Sequence, residues 1–252
     1  MVFLMYHEIE SPGRPLCQGA PGYVRYIARE KDFRAQMEHL KHNGWRGVDV
    51  GEALKFDPST AAITFDDGCA TDLLVAAPIL REIGFGATFY ITAGFLGKPG
   101  YLTQAQLREL SSLGFQIGCH SMTHAYLSDL DDAGLRREII EPKNRLEQLI
   151  GEPVEHFSCP GGRYNQRAIA MVRNEGYRTL ATSKSRTNSA DTDYFKLGRV
   201  PVMRETTLRD FESYCHGRGL WRLRIRESLR HMGKRLLGNT LYDRLRERTL
   251  QE

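Results

Sequence analysis

The sequence predicts an α/β protein built on a mainly parallel sheet, and three observations carry that prediction. Strand-like apolar runs alternate with helical patterns along most of the chain, several of those helices stop at a glycine, and polar clusters rich in Asp and His fall directly after strands. A chain of 252 residues is long enough for one large α/β unit of this kind.

Residues 2–6 read as a buried strand. Residues 32–43 place Phe33, Met37 and Leu40 at helical spacing and stop at Gly44. Residues 61–65 give a second strand and 71–83 a helix ending at Gly84. Strand 87–91 precedes helix 103–113, which is opened by Thr103 with Gln106 in capping-box spacing and closed by Gly114. Strand 115–119 leads to a long helix over 132–149, which Pro142 is expected to kink. Helix 166–175 and strand 179–182 continue the alternation, and a further helix starts near Thr207.

Composition narrows the class. Hydrophobic residues make up 41% and charged residues 26% of the chain, which excludes a disordered or collagen-like protein. No apolar run approaches the roughly 18 residues needed to span a bilayer. The five cysteines are odd in number and widely scattered, which argues against a disulfide framework. The opening MVFLMYHEIE has no basic start and reads as a strand rather than a signal peptide, so a cytoplasmic location is expected. The net charge of +4 is uneven: residues 216–252 hold ten Lys and Arg against four Asp and Glu, while the remainder is near neutral. No basic face interleaved with aromatics accompanies that tail, so nucleic acid is not an expected partner.

In parallel α/β folds functional groups collect where strands end. Four clusters stand at such places: Tyr6-His7, Asp66-Asp67-Gly68, the run from His120 to His124, and Pro160-Gly161-Gly162. In Thr64-Phe65-Asp66-Asp67-Gly68 two acids lie so close that both keep full charge only with a cation between them. An Asx turn before Gly68 is the structural alternative. His120 and His124 are four residues apart, a separation that lets both imidazoles reach one ion. An Asp with two His is a three-ligand set that leaves positions for water and substrate, as hydrolytic metal centres require. Cys69, Cys119 and Cys159 each adjoin a cluster but form no CxxC pair, and they read as small buried residues. In Ser158-Cys159-Pro160-Gly161-Gly162-Arg163-Tyr164 the glycine amides can approach a developing oxyanion, because no Cβ blocks them.

Taken together, TFDDG at 64–68, HSMTH starting 53 positions after Asp67, and the Pro-Gly turn resemble the polysaccharide deacetylases of carbohydrate esterase family 4, the nodulation-type deacetylase homology domain. The resemblance spans about residues 1–201, and the FSCPGGRY turn with the opening LMYHEI resembles the exopolysaccharide-deacetylase branch. It implies an α/β fold of the distorted, incomplete (β/α) barrel type. The implied activity is a metal-dependent hydrolase that removes an N-acyl group, acetyl first, from an amino sugar in a poly- or oligosaccharide or a lipid-linked glycan. By the family pattern Asp66 is the general base, and Asp67, His120 and His124 bind a divalent metal: zinc first, then cobalt, nickel, manganese or iron. Gly161, Pro160 and Tyr164 are assigned to the oxyanion and the substrate.

Two departures from the pattern matter. The family's third motif often carries an Arg two residues before its Pro, and here Ser158 stands there. The late Leu-x-His motif, which supplies the general acid, has no clear match; residues 196–200 read KLGRV, with Arg199 in place of a histidine. His7 is therefore the expected acid, its pKa raised by a bond to Glu8 or Asp66, with a core histidine as the alternative. Arg199 is expected to lie beside Asp66 and hold it ionised. The missing histidine makes a non-catalytic carbohydrate-binding relative the competing class; a Mg²⁺ phosphatase using Asp66 and Asp67 is disfavoured by the two histidines.

The expected organisation is a catalytic domain over 1–205 and a basic helical extension over 206–252. In the extension Trp221, Ile225, Leu229, Met232 and Leu236 form one stripe, flanked by Arg222, Arg226, Arg230 and Lys234. That stripe is expected either to pack on the barrel or, through 219–249, to touch an anionic membrane surface on its inner face, where polyprenyl-linked sugars sit.

Overall fold

The computed structural model describes residues 1–225, 227 and 228. Its strands are short apolar segments: β1 (Phe3–Tyr6), β2 (Ile9–Glu10), β3 (Ala28–Arg29), β4 (Arg46–Val48), β5 (Thr60–Phe65), β6 (Thr88–Ile91), β7 (Gln116–Cys119), β8 (His156–Ser158), β9 (Thr179–Ala181) and β10 (Val200–Pro201). Eight of them form one parallel sheet in the order β10-β1-β5-β6-β7-β8-β9, with β4 beside the first half of β5; β2 and β3 pair separately. The sheet curls until its ends nearly meet, where Ala181 of β9 makes a single bridge to Leu197, just ahead of β10. The result is the distorted, incomplete barrel that the resemblance implies.

Helices α1 (Pro21–Val24), α2 (Glu30–His42), α3 (Val50–Ala53), α4 (Ala77–Ile83), α5 (Gln104–Ser112), α6 (Asp132–Ile150), α7 (Gln166–Asn174) and α8 (Leu208–Cys215) fill the connections. The capping box of α5 forms as its sequence predicts, with Thr103 Oγ1 accepting from Gln106 N and the Gln106 side chain accepting from Thr103 N. The helix expected over 71–83 is two pieces, a π-helical turn Asp72–Ala76 running into α4. Pro78 explains the difference: it has no N–H to donate and its ring crowds the preceding turn, and a wider turn relieves both. α6 runs through Pro142 as one element.

Strand alternation positions the site. Leu4, Tyr6, Ile63, Phe65, Phe89 and Phe157 face the helices and build the outer core, where Phe65 stacks between Tyr6 and Phe89 at ring centroid distances of 5.4 and 4.7 Å. Each such fully buried side chain contributes about 1.5–3 kcal/mol. The intervening residues Phe3, Ala62, Tyr90 and Ala181 face the barrel interior and pack with Val48, Val50 and Leu197. Following that inward parity to the strand ends brings up Met5 and His7, Thr64 and Asp66, His120, and Ser158.

Beyond β10 the described part of the extension packs on the barrel. Phe211, Cys215, Leu220 and Leu223 are buried, Arg224 Nε donates to Ser185 O at 2.9 Å, and Ser185 donates to Glu227 through both N and Oγ. The buried face is not the predicted stripe. Trp221 and Ile225 are 58% and 51% exposed, because Leu220 and Leu223, one and two positions away, take the inner side. Leu229, Met232, Leu236, Arg226, Arg230 and Lys234 lie outside the described residues. Among those that are described, no helix is long and apolar enough to cross a membrane.

One buried group at the opposite end of the strands from Asp66 and His120 makes stability depend on pH. His156 opens β8, with Nδ1 2.9 Å from Thr179 Oγ1 and Nε2 buried without a partner. Burial pushes its pKa down to about 4. The unfolded chain takes up this proton as pH falls through about 6.5, whereas the folded chain refuses it until about 4. The stabilisation is therefore intact above about pH 6.5 and lost progressively below it, about 2 kcal/mol by pH 4.5. Urea unfolding at pH 7 and 4.5, with chelator present, is expected to show a smaller acid loss for His156→Gln than for the wild type. Equal losses would remove His156 as the cause.

Candidate active site

The end of β5 presents a fully satisfied buried ion pair. Arg199 is 0% exposed and grips Asp66 with both arms, Nη1 to Oδ1 and Nη2 to Oδ2, each at 2.7 Å. Its remaining donors reach Thr64 Oγ1 at 3.2 Å, Ser158 Oγ at 2.8 Å and Thr182 O at 3.1 Å, so all five N–H groups have acceptors. The guanidinium also lies over the Tyr90 ring, 5.4 Å from its centroid. Burial would raise the Asp66 pKa, but the charge of Arg199 outweighs it and holds the carboxylate well below its ordinary range. Ser158 matters here because it is small. An arginine at 158 would contend for the space that the Arg199 side chain occupies; the serine instead accepts from Arg199 and donates to Asp66 Oδ2 at 3.3 Å.

Beside that pair, Asp67, His120 and His124 each turn one donor atom toward a common region, all within 4.8 Å of one another. Asp67 Oδ1 is 3.6 Å from His120 Nε2 and 3.5 Å from His124 Nε2. Ligands around an ion with bonds near 2.1 Å stand about 3.0–3.5 Å apart, so the three residues fit a divalent metal with little adjustment. Asp67 Oδ1 is buried and has no hydrogen-bond partner, the orphaned oxygen that a cation would satisfy. His120 Nδ1 is 2.9 Å from Ser158 O, which directs Nε2 into the site, and burial lowers its pKa to about 4, leaving the neutral ring that a metal ligand must be.

Local backbone accounts for the convergence. Asp67, Ser121 and His124 have φ of 81°, 68° and 65°, left-handed values uncommon for side chains of this kind. At Asp67 the reversal breaks the strand alternation, so two successive acids serve one site. The loop carrying the histidines hangs on Glu138 of α6, whose carboxylate accepts from Met122 N at 3.0 Å, Thr123 N at 2.8 Å and Thr123 Oγ1 at 2.7 Å.

Asp66, Asp67, His120, His124 and His7 line a pocket of about 290 Å³. The His7 ring packs 5.1 Å from Tyr26 and lies within electrostatic reach of Asp67 and Asp66. The expected carboxylate bond is absent: Glu8, pointing the opposite way, accepts from Cys17 N at 3.1 Å, Asp66 is engaged by Arg199, and His7 Nδ1 has no partner. Burial therefore prevails over the nearby acids and lowers the His7 pKa, the reverse of what the sequence suggested. His216 packs edge-on against Trp45, at 5.6 Å, and is not part of the pocket lining.

Gly161 lines the pocket at φ 58°, and a Cβ there would stand 2.7 Å from Tyr126 Cε1, so only glycine fits. Pro160 and Tyr164 do not line the pocket, contrary to expectation. Pro160 is buried and Tyr164 packs against the outer core, because the turn exposes its glycine edge. Tyr26, Tyr126, Arg163 and Ser183 form the outer wall instead, and of these only Arg163 belongs to a motif, the FSCPGGRY turn.

A family profile described as polysaccharide deacetylase matches residues 53–180. The chain is 28% identical over 206 residues to YxkH of Bacillus subtilis (strain 168), itself assigned by name to the polysaccharide deacetylases, covering 79% of this chain and 70% of that one. It is 33% identical over 123 residues to a peptidoglycan-N-acetylglucosamine deacetylase of Bacillus cereus, covering 48% of this chain and 55% of that relative, so it spans about half of the latter's length. The fold matches the Streptococcus pyogenes deacetylase PplD, solved in complex with acetate, at a TM-score of 0.76, 20% identity and coverage of 85% and 97%. With the profile covering half the chain and the Asp-Asp and His-x-x-x-His groups meeting in one pocket, the protein belongs to the polysaccharide deacetylase family.

Proposed function

We propose that this protein removes the N-acetyl group from an amino sugar in a poly- or oligosaccharide or on a lipid-linked sugar, using a divalent metal held by Asp67, His120 and His124. The observation that carries this reading is the orphaned Asp67 Oδ1 facing two imidazole nitrogens, next to a carboxylate locked by Arg199. When bound, the metal, for which the N/O donor set suits zinc, polarises the amide carbonyl and acidifies a water. Asp66 takes the proton of that water; Arg199 keeps it ionised and fixes which lone pairs face the pocket. Gly161 offers its backbone to the developing oxyanion, since a side chain there is sterically excluded. His7 returns a proton to the departing nitrogen, because an amide anion is too poor a leaving group. Tyr26, Tyr126 and Arg163 supply flat apolar faces and a cation for sugar rings and their hydroxyls. The peptidoglycan and chitooligosaccharide names of relatives make N-acetylglucosamine oligomers the first substrates to try. Exposed Trp221 and Ile225 support a membrane-surface contact for a lipid-linked substrate.

Mass spectrometry of these oligomers incubated with metal-loaded protein is expected to show loss of one acetyl group per sugar attacked, abolished by chelator. His124→Ala is expected to bind the metal at least tenfold more weakly. His7→Ala is expected to lower kcat by about 10²-fold or more with metal content unchanged. For the wild type, kcat should fall as pH rises through the lowered His7 pKa, below 6.5, as the donating form disappears. Unchanged substrate mass with retained binding would favour the carbohydrate-binding class, and loss of phosphate the phosphatase.

A further inference from the structure

A second group of ligating side chains lies outside the lining of the pocket. Glu8, Cys17 and Cys69 each offer one donor atom within 4.8 Å of the others. Glu8 and Cys69 are 1% and 0% exposed, while Cys17 is half-buried and gives an ion a way in. The Glu8 carboxylate is already aimed, since Cys17 N donates to both of its oxygens at 3.1 Å. Cys17 Sγ donates to Gly100 O at 2.8 Å, and Cys69 Sγ lies 3.3 Å from Tyr23 Oη.

A buried carboxyl without a partner stands close to this group. Asp72, in the turn that follows Cys69, is 0% exposed, and neither of its carboxylate oxygens has a hydrogen-bond partner. The groups within its electrostatic reach include Cys17 and Glu8, and Cys69 in turn feels Asp72. A fully buried carboxyl without a donor, set among another carboxylate and two thiols, is the kind of arrangement that a bound cation satisfies.

We propose that Glu8, Cys17 and Cys69, with the buried Asp72 carboxyl nearby, form a second metal site that takes a zinc ion, separate from the one at Asp67, His120 and His124. Two thiolates with carboxylate oxygen suit a borderline-soft ion with tetrahedral preference, and a tetrahedron with Zn–S bonds near 2.3 Å spaces its donors about 3.3–3.8 Å apart, within the observed limit. On binding, the two S–H protons pass to solvent and two Sγ–metal bonds replace them. The ion would tie the segment over 11–20 to the end of β5. That segment leads into Gly22 and Tyr26, which wall the pocket, and Gln18 already reaches across to Tyr101 Oη at 3.0 Å. The site is thus a clip that fixes one wall of the pocket.

Cobalt(II) titration of the reduced full chain tests it, because cobalt bound to thiolate absorbs in the near ultraviolet by charge transfer whereas cobalt on Asp and His does not. The wild type is expected to bind two equivalents and to show this absorption. Cys17→Ser, at the half-buried position, should lose the absorption and one equivalent. His124→Ala should keep the absorption and weaken the other equivalent, so failure of either site is seen separately. Glu8→Gln, which keeps the thiols, should weaken the absorbing site at least tenfold. Wild-type binding without thiolate absorption overturns the proposal. So does absorption that survives Cys17→Ser, or a Cys17–Cys69 disulfide whose reduction restores no second equivalent.

Discussion

Asp66→Asn is expected to lower kcat by about 10²–10⁴-fold while the metal still binds. The amide cannot accept the water's proton, yet it keeps the size of the carboxylate and one oxygen for Arg199. The ligand atoms on Asp67, His120 and His124 are untouched, which separates this variant from His124→Ala. It should also unfold more easily, since the fully buried Arg199 charge loses its counterion. Activity must therefore be read on protein shown to be folded, for example by calorimetric metal binding. A folded Asp66→Asn protein with near-normal kcat would take the role of base away from Asp66.

Arg199→Met should cost about 3–5 kcal/mol of unfolding free energy, a large share of the 5–15 kcal/mol of an ordinary domain. Methionine fills much of the volume but strands Asp66, Ser158 Oγ, Thr64 Oγ1 and Thr182 O, which all now receive guanidinium donors. With that charge gone, burial acts unopposed and the Asp66 pKa should rise instead of staying depressed. Any residual activity is then expected to need a higher pH, because the base must first ionise. The double variant Arg199→Met/Asp66→Asn should recover part of the lost stability, since it buries no unpaired charge. Urea midpoints for the two single variants and the double give the comparison; a single Arg199→Met variant as stable as the wild type would dismiss the pair as a stabilising element.

That Asp66, Asp67, His120 and His124 would meet was legible because each pair comes from a contiguous motif at the end of a strand long enough to show its pattern: Asp66 and Asp67 after β5, His120 and His124 after β7. Arg199 was legible by its place in the chain, although its grip on five acceptors depends on Ser158 being small, a packing relation that no local pattern carries. β4, β8 and β10 have three, three and two residues, too few for periodicity to distinguish strand from loop. The outer wall was hidden for a different reason. Tyr26, Tyr126, Arg163 and Ser183 sit on separate connections and meet only when the barrel closes. The pKa of His7 was misjudged because Glu8 is next to it in sequence, and neighbours at a strand end can face opposite sides; here Glu8 turns to Cys17. The approach of Cys17 to Cys69 spans 52 positions and leaves no mark on spacing.

The parity of the strands has a consequence for how this chain tolerates changes in length. His7, Asp66, His120 and Ser158 follow the inward parity of β1, β5, β7 and β8, so each of these strands is read in a frame of two. One residue inserted within β5 ahead of Asp66 would turn an apolar neighbour into the barrel and carry the acid toward the helices, with the composition otherwise intact. A two-residue insertion would preserve the facing but lift the acid roughly 6.6 Å along the strand, out of register with Arg199 and His120. Insertions in the exposed connection 151–153 between α6 and β8 change neither frame nor height. The barrel thus divides the chain into stretches that admit substitution but not insertion, and stretches that admit both.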